Sequence, residues 1–364
     1  MKRQMETAQY IRIYEQIRKD IITGVYAYGS KLPSKRLIAE ETGVSVITAE
    51  HAYALLSEEG YIEARERSGY YVTFREEDGF AGQEMHRQKE VLTAARNMPQ
   101  QTEYPFPFSV LSKTMRRVLS DYGETLLIRS PNEGIGELRT EISRYLARSR
   151  GISASPEQII IGAGSEYLYH LIIGLLGREH CYGLETPSYP IIENVYRVSG
   201  VLYERLPLEA NGISSEELRN SHADVLHITP YRSFPSGVTA SASKRHEYLR
   251  WAQKKGRYIV EDDYDSEFSV LKKAEDTLFS QSESDNIIYM NTFSNSISPS
   301  LRVGFMLLPE HLVSVFQEKL GFYSCTVPTA IQYVLTELFR NGDFERHINR
   351  VRRAKRKSLQ ISLH

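Results

Sequence analysis

Three short apolar runs between Arg257 and Pro309 limit what this chain can become: Tyr258–Val260, Ile287–Met290 and Val303–Leu308. They read as buried strands of a mostly parallel sheet. Polar and charged residues gather just past the end of the first two. In open α/β sheets, ligands sit outside the carboxyl ends of the strands. Asp262, Asp263, Tyr264, Ser294, Asn295 and Arg302 are therefore candidates for one shared pocket.

At 364 residues, two or three domains are expected. The chain is 41% hydrophobic and 25% charged, as for an ordinary globular protein, and its net charge of -1 announces no nucleic-acid partner. Cys181 and Cys325 lie far apart and fit reduced thiols better than a disulfide framework. The opening MKRQMETAQ lacks the apolar core of a signal peptide. The longest apolar run, Leu171–Leu176, is far too short to span a bilayer. A cytoplasmic bacterial protein with no membrane partner is the expectation.

Ahead of the sheet-forming region, residues 10–74 have a different texture. Tyr10, Ile13, Tyr14, Ile17 and Ile21 recur at helical spacing, and that helix stops near Gly24. Ser34 caps a short helix running to about Thr42. Gly43 supplies a tight turn, and Ser45 caps a second helix, with Leu55 and Leu56 inward, ending at Gly60. This is the helix-turn-helix pattern. Tyr61–Glu63 and Tyr70–Thr73 then read as the strands of a wing around Arg67–Gly69. Residues 1–75 hold 11 Lys/Arg against 10 Asp/Glu. One copy should therefore hold phosphates weakly, and two copies on a two-fold operator are the geometric expectation.

Residues 76–103 read as a polar linker, with a short helix near Glu90–Arg96. From Tyr104 helices and strands alternate. Gln158–Ile161 reads as a strand, Gly162–Ser165 as a tight turn and Glu166–Leu176 as an apolar helix, a combination that suits a phosphate. Past Pro309, His311–Leu320 and Ala330–Arg340 read as helices, followed by a basic run from Arg346 to Lys357 that reads as a solvated helix face.

Two stretches resemble the MocR subfamily of GntR regulators, which joins a winged helix to a fold-type-I aminotransferase-like domain. Leu32–Ala39 and Gly43–Thr48 match the family's LPSxRxLA and GVSxxT patterns. Glu261–Phe268 matches EDDYDSEF without a change, and Thr292–Arg302 matches TFSKSLSPSLR except that Asn295 stands where the family's cofactor-binding lysine should be. A carboxamide nitrogen has its lone pair delocalised and does not condense with an aldehyde, so lysine-type nucleophilic chemistry is closed there.

The resemblance implies an α/β protein: a winged helix-turn-helix over 1–75, the linker 76–103, an aminotransferase-like large domain over 104–309 with a mostly parallel sheet, and in 310–364 the start of a small C-terminal domain that is otherwise missing. It implies pyridoxal 5'-phosphate as cofactor. Gly164, Ser165 and Glu166 would line its phosphate loop, although Glu166 is a carboxylate that would repel a phosphate unless turned away. Tyr189 would stack on the ring, Asp262 would pair with the ring nitrogen, Tyr264 would meet O3′, and Arg302 would hold the phosphate, with Thr292, Ser294 and Asn295 beside them. Phe234 replaces the asparagine that aminotransferases use at O3′. Ser34, Lys35, Arg36, Ser45, Thr48, His51, Arg67 and Gly69 would face DNA, with Val46 where many members carry a basic residue.

The function implied is a transcription regulator that binds an operator as a homodimer and senses a small amino compound. Weak noncovalent cofactor binding, no metal and no catalytic residue are expected. The alternative is a pyridoxal-phosphate-dependent aminotransferase acting on an amino acid, which needs a lysine to move the proton at the substrate carbon.

Overall fold

The computed structural model describes residues 2–65, 68–75, 104–270 and 276–362. The expected helix at Glu90–Arg96 and the wing residue Arg67 lie outside them. The chain divides into two units, Met1–Met98 and Pro99–His364.

In the first unit, helix α1 (Lys2–Ile22) precedes α2 (Lys35–Thr42) and α3 (Val46–Glu58). Ser34 and Ser45 cap α2 and α3, their hydroxyls accepting from the backbone nitrogens of Leu37 (3.2 Å) and Thr48 (3.1 Å). Gly43, at φ 66, ends α2 in the left-handed region. Ile13, Ile17 and Ile21 of α1 pack with Ala49, Ala52, Tyr53 and Leu56 of α3. Leu56 is buried, but Leu55 only half so. The wing strands, β1 (Ile62–Arg65) and β2 (Gly69–Val72), pair antiparallel with Ile62 opposite Val72 and Arg65 opposite Gly69.

The second unit begins with α4 (Phe108–Tyr122) and α5 (Gly136–Arg150), then β3 (Ile159–Gly162), α6 (Ser165–Leu176), β4 (Cys181–Thr186) and α7 (Pro190–Val198). After these come β5 (Leu202–Glu209), β6 (Gly212–Ile213), α8 (Ser215–Asn220), β7 (Val225–Ile228), α9 (Ala242–Ala252) and β8 (Tyr258–Asp262). The series ends with α10 (Leu278–Gln281), β9 (Ile287–Thr292), β10 (Gly304–Leu307), α11 (Glu310–Leu320), α12 (Thr329–Arg340) and α13 (Asp343–Ser362). The eight-stranded sheet has the order β3-β10-β9-β8-β7-β4-β5-β6.

From β9 to β5 neighbouring strands are parallel, while β10 runs antiparallel to both β3 and β9. The third apolar run thus departs from the parallel majority. Only the short segment between Thr292 and Gly304 joins β9 to β10. A parallel return needs a crossover of a dozen residues or more, usually through a helix.

Helices cover both faces of the sheet. Leu138, Ile142 and Tyr145 of α5 pack with Val334 and Leu338 of α12 against Ile161, Phe305 and Leu307. On the other face Leu168, Ile172 and Leu175 of α6 meet Val260, Ile288, Met290 and Met306. The helices after Pro309 belong to this core: α11 places Leu312 and Phe316 on the second face, and α13 places Phe344, Ile348 and Val351 on the first.

Candidate functional site

The parallel strands β4, β7, β8 and β9 end on one edge of the sheet, and β10 starts there, with Gly304 opposite both Thr292 and Gly162. The segments leaving that edge surround a cavity of about 340 Å³. Ser165 and Glu166 come from the start of α6, Tyr189 from the loop after β4, Thr229 and Phe234 from the loop after β7. Asp262 ends β8 and Tyr264 follows it, Thr292 ends β9 and Ser294 and Asn295 follow it, and Arg302 precedes β10.

Asp262 forms the floor and is 5% exposed. Tyr169 of α6 donates to Asp262 Oδ2 at 2.6 Å. His227 Nε2 lies 3.5 Å from the same oxygen, and its Nδ1 is 2.9 Å from the Tyr196 hydroxyl. Burial, with the Asp262 charge adding to it, pushes the Tyr169 hydroxyl well above the usual tyrosine range, so it stays a donor. Glu185, at the end of β4, lies under the same edge. Burial raises its carboxyl to about 8, although Ser233 Oγ donates to it at 2.8 Å.

Opposite the floor, Gly164 and Ser165 open α6. Gly164 has φ 87, and a Cβ there would come within 2.6 Å of Arg302 Nη2. Glycine is required twice over, by the backbone angle and by the close approach. Arg302 itself is left-handed, at φ 49 and ψ 52, and its guanidinium pairs with the Glu166 carboxylate. Backbone strain of this kind gathers where surrounding structure dictates a side-chain direction.

The remaining side chains complete the wall. Tyr264 donates its hydroxyl to the Arg232 carbonyl at 2.9 Å, and burial raises it to about 12. Asn295 Nδ2 donates to the Tyr264 carbonyl at 3.2 Å. The Thr292 hydroxyl donates to Ser294 Oγ at 3.0 Å. Tyr189 and Phe234 meet edge to face, ring centroids 6.1 Å apart, both partly exposed.

One expected member is elsewhere. Asp263 points through the opposite face of the sheet, 1% exposed, pairing with Arg150 at 2.7 Å and accepting from the Tyr289 hydroxyl at 2.8 Å. Its backbone nitrogen donates to Met290 at 2.9 Å, so the strand's alternation continues past Asp262 and carries Asp263 away from the cavity. Sequence reasoning also passed over Tyr169, Ile192, His227 and Thr229. A histidine inside the apolar strand Val225–Ile228 was the one local signal among them.

In the first unit, Ser34, Arg36, Ser45, Val46, Ile47 and His51 are exposed around the starts of α2 and α3. Lys35 pairs with Glu50 at 2.6 Å. Thr48 beside them is 8% exposed, its backbone nitrogen donating to Ser45 Oγ in the cap and its hydroxyl 2.8 Å from the same oxygen. Gly69 opens β2 at φ 110 beside Lys31.

Residues 9–72 match the family model for bacterial regulatory proteins of the gntR family. Residues 97–362 match that for aminotransferase class I and II. The chain is 32% identical to the HTH-type transcriptional regulator YdeL of Bacillus subtilis, covering 100% of this chain and 80% of that one. It is 29% identical to the probable rhizopine catabolism regulatory protein MocR of Rhizobium meliloti, covering 100% and 78%. Among solved structures, the α-aminoadipate aminotransferase LysN of Thermus thermophilus is 28% identical over 71% of this chain and 67% of that one, with a TM-score of 0.61. The kynurenine aminotransferase of Pyrococcus horikoshii, at 22% identity over 74% and 71% and a TM-score of 0.62, shares the fold.

Proposed function

The chain belongs to the MocR-type GntR transcription regulators, which join a helix-turn-helix unit to an aminotransferase class I and II domain, and from that premise we propose how it reads DNA and what its larger unit senses. Two copies bind a two-fold operator, each laying the start of α3 in a major groove. Arg36 holds a phosphate, and the exposed Val46 and Ile47 touch thymine methyl groups, the one apolar mark on base edges there. The copies meet through α4 and the turn after it, where Phe108, Leu119, Leu127 and Ile128 are exposed.

The larger unit senses a small nitrogen compound, and occupancy of its cavity changes operator affinity through a coupling free energy. The convergence of Asp262, Tyr264, Asn295 and Arg302 on one cavity carries this reading. A pyridoxal-type ring finds a buried carboxylate for its nitrogen in Asp262 and an aromatic wall in Tyr189, with the Gly164–Ser165 turn and Arg302 on the side its phosphate would take. Bound there, such a cofactor supplies an electron-deficient ring. Asn295 offers it no amine, and among the described residues no lysine lines the cavity. Lys319 donates instead to the Leu175 carbonyl at 3.1 Å. Binding is therefore noncovalent, and the unit reports a ligand without turning it over.

Selection of bound duplexes from a random pool by the purified full chain, followed by anisotropy titration with and without pyridoxamine or its 5'-phosphate, tests this. A preferred two-fold sequence and a ligand-dependent shift in affinity are expected. Binding without sequence preference, or binding indifferent to every pyridine ligand, overturns it. Arg36→Ala should weaken all sequences alike and lower the salt slope by about 1.

A further inference from the structure

The phosphate side of the cavity already holds an anion that the chain supplies itself. Glu166 lies in the first turn of α6, where the helix terminus favours a negative charge. Its carboxylate pairs with the Arg302 guanidinium. That guanidinium is fixed from behind, lying across Gly164 so closely that a Cβ would be 2.8 Å from its Cζ. Neither partner is sealed in: the side chains are 31% and 49% exposed. Both line the cavity, and its other charged lining residue is the Asp262 carboxylate.

The charge balance follows. Among the described lining residues there are two carboxylates and one guanidinium. Glu166 occupies Arg302 Nη2, so a phosphate dianion that reaches Arg302 either displaces that carboxylate or sits beside it. Like charges at such a range oppose one another. A ligand without a phosphate leaves the ion pair intact. Its protonated ring nitrogen meets Asp262, and its ring meets Tyr189 and Phe234 at the mouth.

We propose that this site selects an unphosphorylated nitrogen heterocycle, and that Glu166 determines the choice by holding Arg302. The proposal rests on the reading of the cavity as a ligand pocket and deepens it.

Pyridoxamine and pyridoxamine 5'-phosphate are the test pair. They differ only in the phosphoryl group, and neither has an aldehyde to label surface lysines. Calorimetric titration of the full chain should show pyridoxamine bound at least as tightly as its phosphate. Glu166→Gln keeps the side chain's shape and removes its charge. It should strengthen binding of the phosphorylated compound roughly tenfold, while pyridoxamine changes by less than about threefold. Inorganic phosphate should compete in Glu166→Gln and not in the parent protein. Glu166→Ser repeats the comparison with a smaller group.

A parent protein that prefers the phosphorylated compound by about tenfold or more overturns the inference. So does an affinity ratio that neither variant alters. Binding of neither compound by the parent and both variants overturns the pocket reading itself, an outcome distinct from a wrong order of preference.

Discussion

The two faces of β8 carry the same functional group into unlike surroundings. On one face Asp262 stands at the floor of a cavity, held by one tyrosine hydroxyl with a histidine nearby. On the other, Glu261, Asp263 and Glu267 share a closed interior with the guanidinium of Arg150. Glu261 accepts from the backbone nitrogens of Leu278 and Phe279, each at 2.9 Å, and Glu267 from Asn291 at 2.8 Å. A closed interior disfavours the charged form of a carboxyl. Burial raises both Glu261 and Glu267 to about 7. The difference teaches where function sits in this motif. The carboxylates of the closed face are committed to folding, while the carboxylate at the cavity is left to meet a ligand.

The comparison would break most visibly at Arg150. Arg150→Met leaves Asp263 buried without its cation, and about 3–5 kcal/mol of stability should be lost at pH 7. Denaturant unfolding of the second unit measures it; an unchanged midpoint would mean that the closed face is not an ion-paired core.

A smaller effect should appear on titration. Glu261, Glu267 and Glu185 all have folded values above the ordinary carboxylate range, near 7, 7 and 8. Folding therefore favours their protonated forms. Their stabilising contribution is full below the unfolded value and is lost as pH rises through the folded one. Stability should decline between about pH 5 and 8, and Glu185→Gln should make that decline shallower throughout, by up to a few kcal/mol over the whole range. A midpoint that rises over this range contradicts the assignment.

The smallest stability change belongs to the cavity face. Asp262→Asn can still accept from Tyr169, so stability should shift by no more than about 1 kcal/mol. Pyridoxamine binding should nevertheless weaken roughly tenfold or more. Equal losses of stability for Asp262→Asn and Arg150→Met would erase the distinction between the faces.

Much of this was legible along the chain. Capped helices around Gly43, a wing, and apolar runs spaced for a sheet are patterns of neighbouring residues, and the elements appear where those patterns stand. The Asp262 and Arg302 motifs marked the cavity because each follows or precedes a strand at the same edge. Asp263 was misplaced because the strand's pairing runs past the apolar stretch Tyr258–Val260 as far as the Asp263 backbone nitrogen, and one residue turns a side chain to the other face. Thr48 sits in the pattern around Gly43, where its backbone nitrogen donates to the capping Ser45 Oγ.

By itself the sequence determined the kinds of elements and the chemistry available at each position, including the absence of an amine at Asn295. Those properties arise from local hydrogen bonding, side-chain periodicity and residue identity. Only the tertiary structure decided that Glu166 meets Arg302, that Arg150 meets Asp263, and that Tyr169 and His227 lie against Asp262. Those pairings depend on strand order and helix placement, which bring distant segments to one edge or one face, and no local pattern encodes which distant partner arrives.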